Sequence, residues 1–313
     1  MKLQTQIPVS PGKNRISYDS RLLLLGSCFV ENMGSKLDYF KFPCLQNPFG
    51  ILFHPGALEN FTARVTARQK YTEEVVFEHN GRWHCFDAHS VMSGNSREAV
   101  LSRLNKALDH TADYLKNATH IVITLGTAWG YRLKDSGLLV ANCHKVPQRQ
   151  FVRELAPIEA IEKSIEGAIK HIGSVNPGVQ FVFTVSPVRH VKDGFVENQR
   201  SKAHLITALH NVLKKEAYFP SYEIMMDELR DYRFYAEDMI HPNQTAIDYI
   251  WEKFTLAWIS PEAVPVMEEV DAIQKGLAHK PFAPSSEQHQ KFLKSLQERI
   301  SRLQARVPHI WFE

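Results

Sequence analysis

Two short segments, far apart in the chain, carry side chains able to do chemistry together. Gly26-Ser27-Cys28-Phe29 follows the apolar run Leu22 to Leu25 and precedes a helical pattern, so it reads as a strand-to-helix turn bearing a nucleophile, Ser27 or Cys28. Asp238-Met239-Ile240-His241-Pro242-Asn243 sets a carboxylate three residues before an imidazole. At that spacing the carboxylate accepts a hydrogen bond from one ring nitrogen, fixes the tautomer, and leaves the other nitrogen to take a proton from a hydroxyl or thiol. A thiol at the start of a helix and near His241 is expected to ionise below its ordinary range. Nucleophile, base and orienting acid are the parts of covalent catalysis.

The elements that must position these groups follow from hydrophobic period. Residues 20–26 read as a buried strand and 30–40 as the helix after it. Residues 42–57, rich in Pro and Gly, read as a long ordered loop, and 74–86 as a hairpin around Asn80-Gly81. A helix over 96–116, a buried strand over 121–125, a helix over 157–173, a buried strand over 180–185 and a helix over 200–217 complete an alternation, followed by the short segment 222–226 and a last helix after Pro242. Strands separated by helices of this length predict an α/β fold: a three-layer α/β/α sandwich with a mostly parallel sheet of flavodoxin-like type, over residues 1–258. Residues 259–313 read as a Pro-rich linker and an amphipathic C-terminal helical extension, in which Phe292, Leu296, Ile300, Leu303 and Val307 form one stripe. The stripe is expected to pack back on the domain, with self-association as a homodimer the alternative.

In an open parallel sheet, ligands bind beyond the carboxyl ends of the strands. Ser27 and Cys28 end the first strand, Gly126 and Thr127 the next, and Arg189 and His190 the third. Gly50 and Gly126 allow close approach to the backbone, whose N–H groups supply an oxyanion hole. Arg189 and His190 form a candidate cation pair for an anionic group, and Asn142, His144 and His89 are further pocket candidates.

Composition excludes much else. The 313 residues include 44% hydrophobic and 23% charged residues, with a net charge of +3 and no basic run, so neither nucleic acid nor a membrane span is expected. The N-terminus lacks the apolar stretch of a signal peptide, so a cytoplasmic location is expected, in which Cys28, Cys44, Cys85 and Cys143 would stay reduced. Cys44 and Cys85 are expected to be packing residues. No His/Cys/Asp cluster has zinc spacing, so no metal and no cofactor is expected.

The sequence resembles the GSCFA proteins, related to the SGNH or GDSL-type hydrolases. The likeness runs from Leu25–Phe29 through Asn47–Gly50, Ile123–Trp129, Asn142–Lys145, Thr184–His190 and Tyr232–Tyr235 to Asp238–Pro242. It implies an α/β/α hydrolase fold whose superfamily members cleave or transfer acyl esters, often on carbohydrates. Asp238 and His241 fall on that superfamily's Asp-x-x-His block. Two positions depart: Cys28 stands where the nucleophilic serine of Gly-Asp-Ser would be, and Ala128 matches an oxyanion asparagine. Thr127, Asn47 and Asn142 are the side chains available to replace that donor. The expected activity is that of an acyl ester hydrolase or acyltransferase, acting on a small or carbohydrate-linked acyl group or taking an acyl thioester donor. The alternative is a catalytically inactive carbohydrate- or acyl-binding module.

Overall fold

The computed structural model describes residues 4–213 and 217–312. The reading of the N-terminus at Met1–Leu3, and the end of the expected helix over 200–217, lie outside these residues.

Strand β1 (Leu22–Gly26) leads into helix α1 (Cys28–Tyr39), edge strand β2 (Cys44–Gln46) and helix α2 (Pro55–Thr66). The hairpin β3 (Val76–His79) and β4 (Arg82–Cys85) turns at Asn80-Gly81, both with positive φ as a tight hairpin requires. Helix α3 (Arg97–Lys116) then delivers strand β5 (His120–Leu125). After an insertion described below come α4 (Ile158–Val175), β9 (Gln180–Val185), α5 (Phe195–Val212) and the two-residue strand β10 (Tyr218–Phe219). The segment 222–226 is helical, running from α6 (Ser221–Glu223) into a wide π turn over Ile224–Leu229, so the edge strand lies just before it.

The five-stranded sheet runs β10-β9-β5-β1-β2, every pair parallel. Numbered along the chain this is the doubly wound order 2-1-3-4-5, which reverses direction between β1 and β5 and opens a crevice at their carboxyl ends. Side-chain alternation divides the core in two. Leu23, Leu25, Ile121, Ile123, Phe183 and Val185 face α2 to α5. Leu22, Leu24, Val122 and Val182 face the other way, against α1 and the C-terminal helices. A strand buried on both faces must be apolar at every position, hence Leu22 to Leu25, each contributing about 1.5–3 kcal/mol by burial.

Three features depart from the sequence reading. Between β5 and α4 the chain inserts a three-stranded antiparallel flap of β6 (Trp129–Leu133), β7 (Leu139–Val140) and β8 (Phe151–Leu155). The predicted loop over 42–57 contains β2 and the start of α2. The stretch marked by prolines as a linker holds helix α8 (Val264–Ala278), after α7 (Gln244–Trp258), because Pro265 stands in the first turn where its missing N–H has no partner to lose.

Helix α9 (Glu287–Arg306) packs back on the domain: Leu296, Ile300 and Leu303 join Met267, Val270 and Ile273 of α8 and Trp251 and Phe254 of α7. A Cβ at Gly276 would stand 2.9 Å from Leu296, so α8 and α9 cross closely. Packing within the chain therefore covers Leu296, Ile300 and Leu303, with Val307 partly buried beside them and Phe292 left exposed. No helix among the described residues is long and apolar enough to cross a membrane.

Candidate active site

The turn after β1 separates its two nucleophile candidates by role. Ser27 is buried and serves as N-cap of α1, its Oγ accepting the Phe29 N–H at 3.4 Å and its own N–H donating to Thr124 O at 3.0 Å. Cys28 opens the helix and stays half-buried. Its thiol, expected to ionise early, is instead held above its ordinary value, first by desolvation and then by the Glu31 carboxylate. The N–H groups of Cys28 and Phe29 and the Lys202 ammonium only partly oppose this. Alkylation of Cys28 by iodoacetamide is therefore expected to rise through a midpoint above pH 9, and Glu31→Gln to move it down. A rate-against-pH profile with peptide mapping checks both; a neutral midpoint in the wild type would contradict the assigned burial.

At the ends of β5 and β9 stands Lys202, which sequence reasoning missed. It is 1% exposed, and its Nζ donates to Gly126 O at 2.8 Å and Ser186 O at 2.7 Å, stapling the two strand ends. Burial lowers it to about 7. A signal was present: Asn198, Ser201, Lys202, Leu205 and Leu209 share the buried stripe of α5, so polar groups sit where an amphipathic helix should be apolar. Ser201 Oγ receives the Ala128 N–H at 2.7 Å and exchanges a hydrogen bond with Thr127 Oγ1 at 2.8 Å, so Thr127 serves the scaffold.

The Asp-x-x-His segment is a tight turn with Met239 at φ 57°. Asp238 Oδ1 accepts from the N–H groups of Ile240 and His241 at 2.9 and 3.0 Å, and His241 Nδ1 donates to Asp238 Oδ2 at 2.6 Å. These bonds hold the carboxyl at about 2, leaving it ionised and His241 Nε2 free to act. The N-cap of α7 is Asn243, which receives the Ala246 N–H at 3.1 Å, so His241 has no capping duty. The Arg189 N–H donates to Ile240 O at 3.2 Å, joining the turn to the end of β9.

Arg189 and His190 do not form the expected cation pair. Arg189 lies over the rings of Tyr235 and Tyr232, at 4.0 and 5.1 Å. His190 is pressed against Gly126, where a Cβ would meet its Nε2 at 3.1 Å. Burial, Lys202 and His241 lower it to about 3, so the ring is neutral. Its Nε2 is buried without a partner.

The remaining candidates divide. Asn47 is structural: Oδ1 accepts the Gly26 N–H at 3.0 Å and Nδ2 donates to Glu31 at 3.2 Å. Gly50, at φ 74°, packs on His89, where a Cβ would stand 2.5 Å from the His89 Cβ. Asn142 accepts the His144 N–H in its own turn at 2.8 Å, and both residues line an open pocket of about 540 Å³ under the flap, with His54 in its wall. Cys85 is buried and Cys44 partly so.

Burial lowers His54 and His144 to about 4. With His190, these rings take protons in the unfolded chain below pH 6.5 but not in the fold, so the unfolded state binds more protons there and stability falls as pH falls from 6.5 toward 4. Each contributes up to about 1.4 kcal/mol per pH unit in that window. Urea midpoints should drop from pH 7 to pH 5; an unchanged midpoint would contradict their burial as neutral rings.

Fold and site together define a doubly wound α/β/α protein with a thiol, an Asp–His pair and a buried lysine along the carboxyl edge of its sheet. The chain belongs to the GSCFA family, whose model matches residues 21–254. A second model, described as GSCFA domain protein, C-terminal domain, matches residues 270–313. No curated protein matches the chain.

Proposed function

We propose that this chain is an acyl ester hydrolase or acyltransferase working through a thioester on Cys28. The observation that carries the reading is the Asp238–His241 pair, bonded at 2.6 Å with Nε2 free and tied by backbone to the strand edge that also bears the thiol. The Asp-x-x-His likeness to SGNH-type hydrolases supports it, and a cytoplasmic setting would keep the thiol reduced.

Because the thiol is protonated at rest, a base must act during attack. His241 Nε2 takes the proton as Sγ bonds to the acyl carbon, and the carbonyl electrons move onto oxygen. Collapse expels the alcohol or thiol, which recovers that proton from His241. Water or an acceptor hydroxyl then attacks the thioester by the same steps and frees Cys28. The Cys28 N–H group, at the first position of α1, stabilises the oxyanion.

The reading is tested by brief exposure to p-nitrophenyl acetate and to an acetyl thioester, acid quench and peptide mass mapping. An acetyl group on the Cys28 peptide, lost in His241→Ala, is the expected result. No adduct on folded protein would overturn turnover and leave an acyl- or carbohydrate-binding module. Replacement of water by acceptor alcohols would separate transferase from hydrolase.

A further inference from the structure

The pocket under the flap adjoins the site through Phe53. This residue lines the pocket, holds its ring tilted 42° to that of His190 at 5.8 Å, and accepts the Gly126 N–H at 2.8 Å through its carbonyl. At about 540 Å³ the pocket suits a small organic molecule. Trp129 and Tyr131 of β6 give it an aromatic wall. Its charges are one-sided: Lys145 and Lys192 line it, and among the described residues no carboxylate does. Among the described residues neither lysine makes an ion pair, whereas Lys36, Lys70 and Lys253 each hold a carboxylate. Lys192 Nζ stands 5.8 Å from the centre of the Tyr131 ring, inside this wall. His54 and His144 stand in the walls on side chains 8% and 6% exposed, with His54 Nε2 and His144 Nδ1 turned away from the open space.

We infer that this pocket receives a phosphate-bearing part of the substrate, the aromatic wall covering the body next to the phosphate and Lys145 and Lys192 neutralising its charge. Two lysines without an arginine fork suit a phosphate met by point charges better than a planar carboxylate. The inference rests on the acyl-transfer reading for placing the scissile bond toward Cys28, but the binding itself does not depend on turnover.

The test is a ¹⁹F NMR titration of the full chain with 4-fluorophenyl phosphate, 4-fluorobenzoate and uncharged 4-fluorobenzamide. The phosphate should bind at least about tenfold more tightly than the amide, and the Lys145→Gln/Lys192→Gln double variant should lose about tenfold for the phosphate with no change for the amide. Lys134→Gln, an exposed lysine outside the pocket, should match the wild type. Equal binding of phosphate and amide, or an unchanged phosphate affinity in the double variant, would overturn the inference. Benzoate binding as tightly as the phosphate would overturn the choice of phosphate. Lysine-dependent phosphate binding without any acyl adduct defeats the acyl reading alone; an adduct without charge preference defeats this inference alone.

Discussion

Replacing Cys28 with alanine is expected to abolish the acyl adduct and to lower turnover by 10³-fold or more, on the order seen when a nucleophile is removed from a preorganised site. Ser27→Ala should keep the adduct and cost stability instead, about 1 kcal/mol for a lost N-cap. The contrast follows from position. Ser27 Oγ is enclosed and occupied with the Phe29 N–H, while the next residue places its side chain at the half-open mouth of the strand end. Cys28→Ser divides the outcomes further: with an alkoxide harder to form than a thiolate, acylation should survive weakly and remain dependent on His241. Peptide mapping after p-nitrophenyl acetate, with urea unfolding of each variant, measures both quantities. An adduct on Ser27 in Cys28→Ala would exchange the two roles.

Gly26→Ala is expected to leave no stably folded protein, a loss of about 4 kcal/mol or more, beyond the usual range for one substitution. Gly26 has φ +136°, a region side chains avoid, and an added Cβ would stand 2.2 Å from Thr124 O, a backbone atom in the adjacent central strand that cannot retreat. The same carbonyl accepts the Ser27 N–H, so a shift to relieve the clash would also break the strand junction that seats Cys28. Gly178→Ala is the control. No atom lies within 4 Å of its added Cβ and its φ is not left-handed, so it should fall within about 0.5 kcal/mol of wild type. Circular dichroism and urea midpoints decide; a Gly26→Ala protein with wild-type stability would show that β1 and β5 can separate at this edge.

Local periodicity carried much of the fold. Apolar runs at Leu22–Leu25, Ile121–Leu125 and Gln180–Val185 identify strands buried on both faces, and helical spacing identifies α3 and α4, because period and burial are properties of neighbouring residues. The flap was missed although Asp135-Ser136-Gly137 offered a turn signal, since its strands are short and β6 and β8 are only partly buried. Helix α8 was missed because proline in a first turn looks, locally, like a breaker.

The candidate site divides along the same line. Residue types and spacing alone named Cys28, Ser27, Asp238 and His241, because a strand-to-helix turn and a carboxylate three residues from an imidazole are local patterns. Which of Ser27 and Cys28 caps the helix, whether the thiol is raised or lowered, that His190 is a partly buried neutral ring, and that Lys202 joins two strand ends were decided by the tertiary structure alone. Desolvation and Coulomb energy are sums over groups that folding brings together from distant parts of the chain. Glu31, Lys202 and His241 act on this edge from α1, α5 and the turn before α7, and no window of sequence contains all three.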